Sequence, residues 1–365
     1  AAVFKEGYLP SETVTHSYLF RLSAARRSLP VLSLVTDKNH LWGAQGIMET
    51  SPRNTSKRGR SWERPVSVEY FLPDGSTGFQ IDCGLRIQGG DYVRGRYNPN
   101  GGLPFSKYSY RLYFRGDYGE SALEYPFIPR SPEDAYKQIV LRAGMNDHSD
   151  PFIVDELVRR LSADMGQVSS QGTLVNLFVN GVYKGYYNPT ERIDEDFLDT
   201  WQGGNGDYDI IAQFGEVRAG DLVMWNQLKQ TLRRDLSVAA NYEQARQLLN
   251  IDGFIDYLIL NIYAGTRDWP HNNWRAARER VDGAQWRFYA WDAEWSFFNQ
   301  GGSVRHNTLT SELAVNQDIA RFYQSLSNNT EFRTRFADRV YQHFFNNGAL
   351  TDANIMSRFQ ELRGD

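Results

Sequence analysis

An α+β domain is what this 365-residue sequence predicts, because strand patterns fill its first half, amphipathic helices fill its second, and the two are not interleaved. Residues 1–30 carry a short strand pattern, then Leu22-Ser23-Ala24-Ala25-Arg26-Arg27. Val31 to Val35 is a short apolar run. Val66 to Phe71 reads as a strand and is followed by turn chemistry at Pro73-Asp74-Gly75. Leu85 and Ile87 share one face of a further strand, with Arg86 and Gln88 on the other. In Lys107 to Phe114, Tyr108, Tyr110, Leu112 and Phe114 form one face and Lys107, Ser109 and Arg111 the opposite one. The loop at 89–106, carrying Gly89, Gly90, Gly95, Gly101 and Gly102, is long enough to suggest a function.

The first long helix is expected from Asp150 as N-cap and Pro151 at the first helical position. Ile153, Val154, Leu157, Val158 and Leu161 repeat at helical spacing until Gly166 ends it. A hairpin follows, with Leu174 to Val179 and Val182 to Tyr187 joined by the two-residue turn Asn180-Gly181. From Ile193 onward the chain reads as helical. Ile251, Phe254, Ile255, Leu258 and Ile262 form one stripe, and two or three more helices are expected within 311–365.

Composition bounds the function. With 41% hydrophobic and 14% aromatic residues the chain buries a full core, and its net charge of −4 gives no basic field for nucleic acid. The basic clusters at Arg53 to Arg64 and Arg233-Arg234 read as solvated surfaces. Cys83 is the only cysteine, which excludes an internal disulfide and a multi-cysteine metal site. One cysteine suits the cytosol and also an exported protein. No apolar run approaches the roughly 20 residues of a membrane span. The six histidines are scattered and no His-x-x-x-His pair occurs, so zinc is not indicated; Gly-x-Ser-x-Gly is absent too. The start at Ala1, inside what reads as strand material, suggests a piece of a longer polypeptide.

The densest chemical signal is Thr266-Arg267-Asp268-Trp269-Pro270-His271-Asn272-Asn273-Trp274, with Trp291-Asp292-Ala293-Glu294-Trp295 downstream. Gln285 to Trp291 reads as a buried strand, so Asp292 emerges at its end. Phosphoryl transfer needs a group that accepts a hydroxyl proton, hard oxygen donors for Mg²⁺, and a cation on the phosphates. Asp268 suits the first task, Asn273 and Asp292 the second with Glu294 as an optional third ligand. The five-residue Asp268–Asn273 spacing after an amphipathic helix, followed by a hairpin ending in Trp-Asp, is the selective part of this pattern. Lys107, on a strand before the helix, has the place of a phosphate-binding lysine; Glu156 or its neighbour Asp155 is the candidate partner for it. Glu191 follows the hairpin where a hinge would meet a nucleobase.

Lys107-Tyr-Ser-Tyr-Arg111, Asn180-Gly-Val-Tyr-Lys-Gly-Tyr186 with Glu191, the Asp268…Asn273-Trp274 loop and Trp291-Asp-Ala-Glu-Trp-Ser-Phe297 stand in the order found in the spore-coat CotH kinase family, which the chain resembles over about 31–350. The resemblance implies a two-lobed protein-kinase-like α+β fold: a β-rich lobe at 31–190 with one helix, a mainly helical lobe at 191–365, and a nucleotide cleft between them. Residues 1–30 would then be a linker or the end of a preceding β-sandwich-like module. It implies ATP and Mg²⁺ as cofactors and Ser/Thr hydroxyls of an extracytoplasmic or cell-surface protein as acceptor. Catalysis falls to Asp268, nucleotide contacts to Lys107, Arg86, Gly89, Gly90, Glu156 and Glu191, and metal ligation to Asn273, Asp292 and Glu294. The chain departs from a kinase pattern in three ways. No G-x-G-x-x-G precedes Lys107, where only Arg86-Ile-Gln-Gly-Gly90 stands; Glu294 occupies a position more often Asp; and 202–250 is longer than a minimal kinase needs.

Two other functions remain open at this level. A kinase-like surface or coat protein without activity would fit the unusual phosphate loop. A glycoside hydrolase would use Asp292 and Glu294 as its carboxylate pair, with the aromatic loops stacking on sugars. The second requires strands and helices alternating throughout, and residues 1–115 show almost no helix.

Overall fold

The computed structural model describes residues 2–9, 11, 14–89, 106–147, 152–297, 303 and 305–364. It is a mixed α+β structure, sheet-rich in its N-terminal region and helical in its C-terminal region. The chain divides into two compact units: 1–145 with 172–191, and 146–171 with 192–364. The segment 146–171, with the first long helix, therefore groups with the helical unit, although the sequence reading assigned it to the β-rich lobe. No described helix is long and apolar enough to cross a membrane.

The first unit holds two single-turn helices, α1 (Ala24–Arg27) and α2 (Lys38–Leu41). Its strands are β1 (Val31–Val35), β2 (Arg64–Phe71), β3 (Thr77–Ile87), β4 (Tyr110–Tyr113), β5 (Leu123–Glu124), β6 (Ala135–Tyr136), β7 (Gln138–Arg142), β8 (Val175–Val179) and β9 (Val182–Thr190). Seven of them close a barrel in the order β1-β2-β3-β4-β7-β9-β8, all antiparallel except β1 with β8. This is not the alternating parallel (β/α)₈ barrel that a glycoside hydrolase reading requires. The expected hairpin is present: Asn180 (φ 49°) and Gly181 (φ 76°) both take positive φ, as a two-residue turn matching strand twist demands. No strand stands among the described residues before Val31, which hold only α1, and Phe4, Tyr8, Leu9, Tyr18 and Phe20 are exposed. Lys107 also falls short of its expected strand, since β4 begins at Tyr110.

The second unit begins with α3 (Val154–Asp164). Asp150 and Pro151 lie outside the described residues. The helix starts later than expected, with Ile153 at the cap position and the Val154 amide donating to Asp147 Oδ2 at 2.9 Å. There follow α4 (Glu195–Gln202), β10 (Tyr208–Ala212), β11 (Glu216–Ala219), α5 (Val223–Leu232), α6 (Ala239–Leu248), α7 (Ile251–Ala264), β12 (Trp274–Glu279) and β13 (Arg287–Ala290). The chain closes with α8 (Thr308–Ser311), α9 (Asp318–Leu326), α10 (Thr330–Phe344) and α11 (Asp352–Gly364). The helical reading of the stretch between Ile193 and the Asp268 loop is thus corrected: β10 pairs with β11 on one side and with β12 on the other, giving a four-stranded sheet β11-β10-β12-β13. Tyr208, Asp209, Ile210, Ile211 and Ala212 are all buried, and the two-residue alternation was masked because β10 is buried on both faces.

Both faces of that sheet are covered. Trp274 and Ala276 of β12 and Phe288 and Ala290 of β13 join the large core with α3, α5 and α7. Ala277, Tyr289 and Trp291 turn to a smaller core with Phe197 and Leu198 of α4. This alternation decides where each side chain of the chemical segment points.

Candidate active site

Helix α7 delivers the chain to the Asp268 loop. Asn250 caps its start, accepting from the Gly253 amide at 3.1 Å, and Ile251, Phe254, Ile255 and Leu258 are buried along its stripe. Gly265 ends it in the left-handed region at φ 62°, its amide donating to the carbonyls of Asn261 and Ile262. The loop beyond is pinned on two sides. Trp269 is fully buried, its indole Nε1 donating to Tyr257 Oη at 2.7 Å with the rings edge-on at 6.0 Å. Burial pushes the Tyr257 phenol far above its ordinary pKa, so it remains a neutral partner. The peptide between Trp269 and Pro270 is cis.

The second anchor is the segment after β13. The Arg267 amide donates to the Trp295 carbonyl at 3.0 Å, the Thr266 and Ser296 hydroxyls lie 2.9 Å apart, and the Phe297 amide donates to the Ala264 carbonyl at 2.6 Å. In the β12–β13 register Trp274 lies opposite Ala290, which brings Asn273 level with Trp291 and one residue from Asp292. Asp268, Asn273 and Asp292 are each half-buried. Asn273 Nδ2 donates to Asp268 Oδ2 at 2.5 Å. A carboxylate only accepts, so this bond fixes the amide orientation and leaves Asn273 Oδ1 as a hard oxygen donor. Asn273 (φ 59°) and Asp292 (φ 58°) both hold the left-handed conformation that side chains other than glycine seldom take, which costs energy and is found at functional sites.

Asp292 is held by helix α3. The Ala293 amide donates to Asp155 Oδ1 at 2.7 Å, and Asp155 Oδ2 accepts from Arg159 Nε at 3.0 Å. Arg159 also reaches Glu156 at 2.7 Å and the Ser170 carbonyl at 3.1 Å. Glu156 is buried and pairs with Arg160 as well, at 2.9 Å. The sequence reading offered Asp155 and Glu156 only as partners for Lys107; the role of Asp155 in fixing the Asp292 segment was missed, since a contact 138 residues away leaves no local signal. Glu294 is buried, and one of its oxygens, Oε2, accepts from the Asn146 amide at 3.0 Å.

Among the described residues no three His, Cys, Asp or Glu side chains converge as a metal cage. Mg²⁺ on a nucleotide does not need one: it is held by one or two protein oxygens, phosphates and water. Asn273 Oδ1 and the Asp292 carboxylate are donors of that kind, and the residues fit such an ion.

Arg275, two residues beyond Asn273, was not singled out in the sequence. It is buried and shares the sheet face of Ala277, with its guanidinium over the Trp291 ring at 4.9 Å. Burial, with Arg218 and Arg192 nearby, lowers its pKa to about 9. A basic residue inside the apolar run Trp274-Arg275-Ala276-Ala277 was the available signal.

In the barrel unit, Lys107 is buried, donates from Nζ to the Tyr186 carbonyl at 2.6 Å and lies over the Tyr187 ring at 4.6 Å. Arg86 stands across the ladder from Arg111, faces the Tyr113 ring at 5.1 Å and has a buried Nε without a hydrogen bond. Gly89 has φ 87°, and Arg58 Nη2 donates to its carbonyl. Burial and the charge of Arg86 lower the Arg58 pKa. Glu191 is buried and accepts from the Ser131 hydroxyl. Gly90 lies outside the described residues.

No curated protein matches the chain. A family model described as CotH kinase protein matches residues 93–365, a span that contains Lys107, Asp268, Asn273 and Asp292 but not Arg86, Gly89 or Gly90. That match covers three quarters of the sequence, and the chain belongs to the CotH kinase protein family.

Proposed function

We propose that the chain is an ATP- and Mg²⁺-dependent protein kinase acting on Ser/Thr hydroxyls of an extracytoplasmic protein, with a two-lobed kinase-like fold. The observation that carries this is the Asn273–Asp268 hydrogen bond, made by a strained residue just before β12, while a second strained residue, Asp292, stands two residues beyond the end of its partner strand β13. Asp268 is the group that orients the acceptor hydroxyl and takes its proton. The Asn273 amide holds Asp268 in place, and its own oxygen and the Asp292 carboxylate would hold Mg²⁺. Mg²⁺, when bound, neutralises phosphate charge. Lys107 is the cation for the phosphates, and Arg86, Gly89 and Glu191 make further nucleotide contacts. Family membership is what supports an acceptor outside the cytoplasm.

The test is transfer of labelled γ-phosphate to the protein itself or to a Ser/Thr-rich acceptor. Asp268→Asn keeps the shape and one acceptor oxygen but removes the base, so the rate should fall by roughly 10²–10⁴-fold with Mg-ATP affinity little changed. Equal rates for Asp268→Asn and the parent would remove Asp268 from the mechanism. Tight Mg-ATP binding with no transfer to any acceptor would favour an inactive kinase-like protein instead.

A further inference from the structure

We infer that Arg275 forms an anion site that receives phosphate oxygens beside Asp292. Four arginines of the helical unit are buried among the described residues: Arg159, Arg160, Arg275 and Arg278. Three are neutralised. Arg159 meets Asp155 and Glu156, Arg160 meets Glu156 and Glu361, and Arg278 lies 3.7 Å from Asp209. Arg275, 6% exposed, has no carboxylate within ion-pair distance among the described residues. Its Nη1 donates to two neutral oxygens, Gln213 Oε1 at 3.0 Å and the Trp274 carbonyl at 2.7 Å.

A guanidinium taken out of water without a counter-charge is costly. Here the cost is increased by like charge, because Arg218 and Arg192 act on Arg275 unfavourably, while Asp292 and Glu216 attract it from beyond contact. Glu216 is itself paired with Arg218 at 2.6 Å. The strand parity explains the placement: Trp274 enters the large core, so Arg275 must turn to the opposite face, where Trp291 stacks on it and Asp292 follows directly. The planar fork matches two oxygens of a phosphate and is more weakly hydrated than an ammonium, which suits a half-dry site. That the anion is phosphate rests on the nucleotide reading of Asp292; that an anion binds rests on the uncompensated charge alone.

The experiment uses inorganic pyrophosphate in the presence of a chelator, measured by calorimetry and thermal unfolding on the parent, Arg275→Met and Arg275→Lys. The parent should bind pyrophosphate without metal. Arg275→Met should bind at least about tenfold more weakly, with Arg275→Lys between them. Without ligand, Arg275→Met should unfold at the same temperature as the parent or higher, because an uncompensated charge has gone. Should Arg275→Met not fold, Arg275→Lys decides the matter, since it keeps the charge and loses the fork. A parent indifferent to pyrophosphate, or variants binding it within about twofold of the parent, would overturn the inference. Asp292→Ala separates this result from the kinase reading: it should lose metal-dependent ATP binding and keep metal-free pyrophosphate binding.

Discussion

Asp292 and Glu294 are two residues apart and carry the same functional group, yet their surroundings give them different work. Asp292 is half-buried and held in a left-handed conformation two residues beyond β13. Glu294 is buried, and one of its oxygens serves the Asn146 amide. Calorimetry with ATP and Mg²⁺ should therefore show binding abolished in Asp292→Ala and only weakened in Glu294→Ala. Glu294→Ala should also destabilise the fold by about 1–3 kcal/mol, since it leaves a backbone donor unsatisfied. Unchanged Mg-ATP binding in Asp292→Ala would dismiss that residue as a metal ligand. The single cysteine is chemically quiet by the same kind of reasoning: Cys83 is fully buried, and burial raises its thiol pKa far above the ordinary range.

Helix α7 and the β12–β13 pair act as the frame on which the Asp268 loop is stretched. Gly265 is where the frame turns, at φ 62°, with only Thr308 Oγ1 near a would-be Cβ, at 3.9 Å. The space is open, so the penalty for Gly265→Ala is conformational, about 1–2 kcal/mol, and urea unfolding should register it. If Gly265→Ala proved as stable as the parent, the left-handed cap would not be what sets the entry to the loop. Asp155 and Arg159 on α3 serve the other end, tying the Ala293 amide to a helix on which Asp155, Glu156, Arg159 and Arg160 pair with one another. A loop held at both ends by separate elements keeps strained residues in place that a single tether would release.

For the whole molecule the prediction concerns linkage. A ligand that binds only the native state stabilises it by about 2.7 kcal/mol at 100 times its dissociation constant. In thermal unfolding, ATP and Mg²⁺ together should raise the transition more than the sum of their separate effects, because the ion is held jointly by protein oxygens and phosphates. Additive shifts would mean that metal and nucleotide bind independently, and the Asn273–Asp292 assignment would fail. The two compact units each have their own buried core, so the shift should be largest in whichever transition reports the helical unit that carries Asp268 and Asp292.

How much of this was legible beforehand follows from the range of the interactions. The β1 strand, the Asn180-Gly181 hairpin, the α7 stripe and the Asp268–Asn273 spacing could be read directly, because backbone conformational preference and side-chain periodicity act within a few residues. The β10–β11 pair could not: a strand buried on both faces shows no alternation, and only its ladder with β12 identifies it. The start of α3 was misplaced for the same reason, since Asp147 supplies the carboxylate for the first turn from outside the local cap pattern. Membership in the kinase family was already legible in the order of the motifs. The uncompensated charge of Arg275 and the grip of Asp155 on the Asp292 segment were decided by tertiary structure alone. Burial and counter-charge are properties of neighbours in space, and no residue's own sequence window contains them.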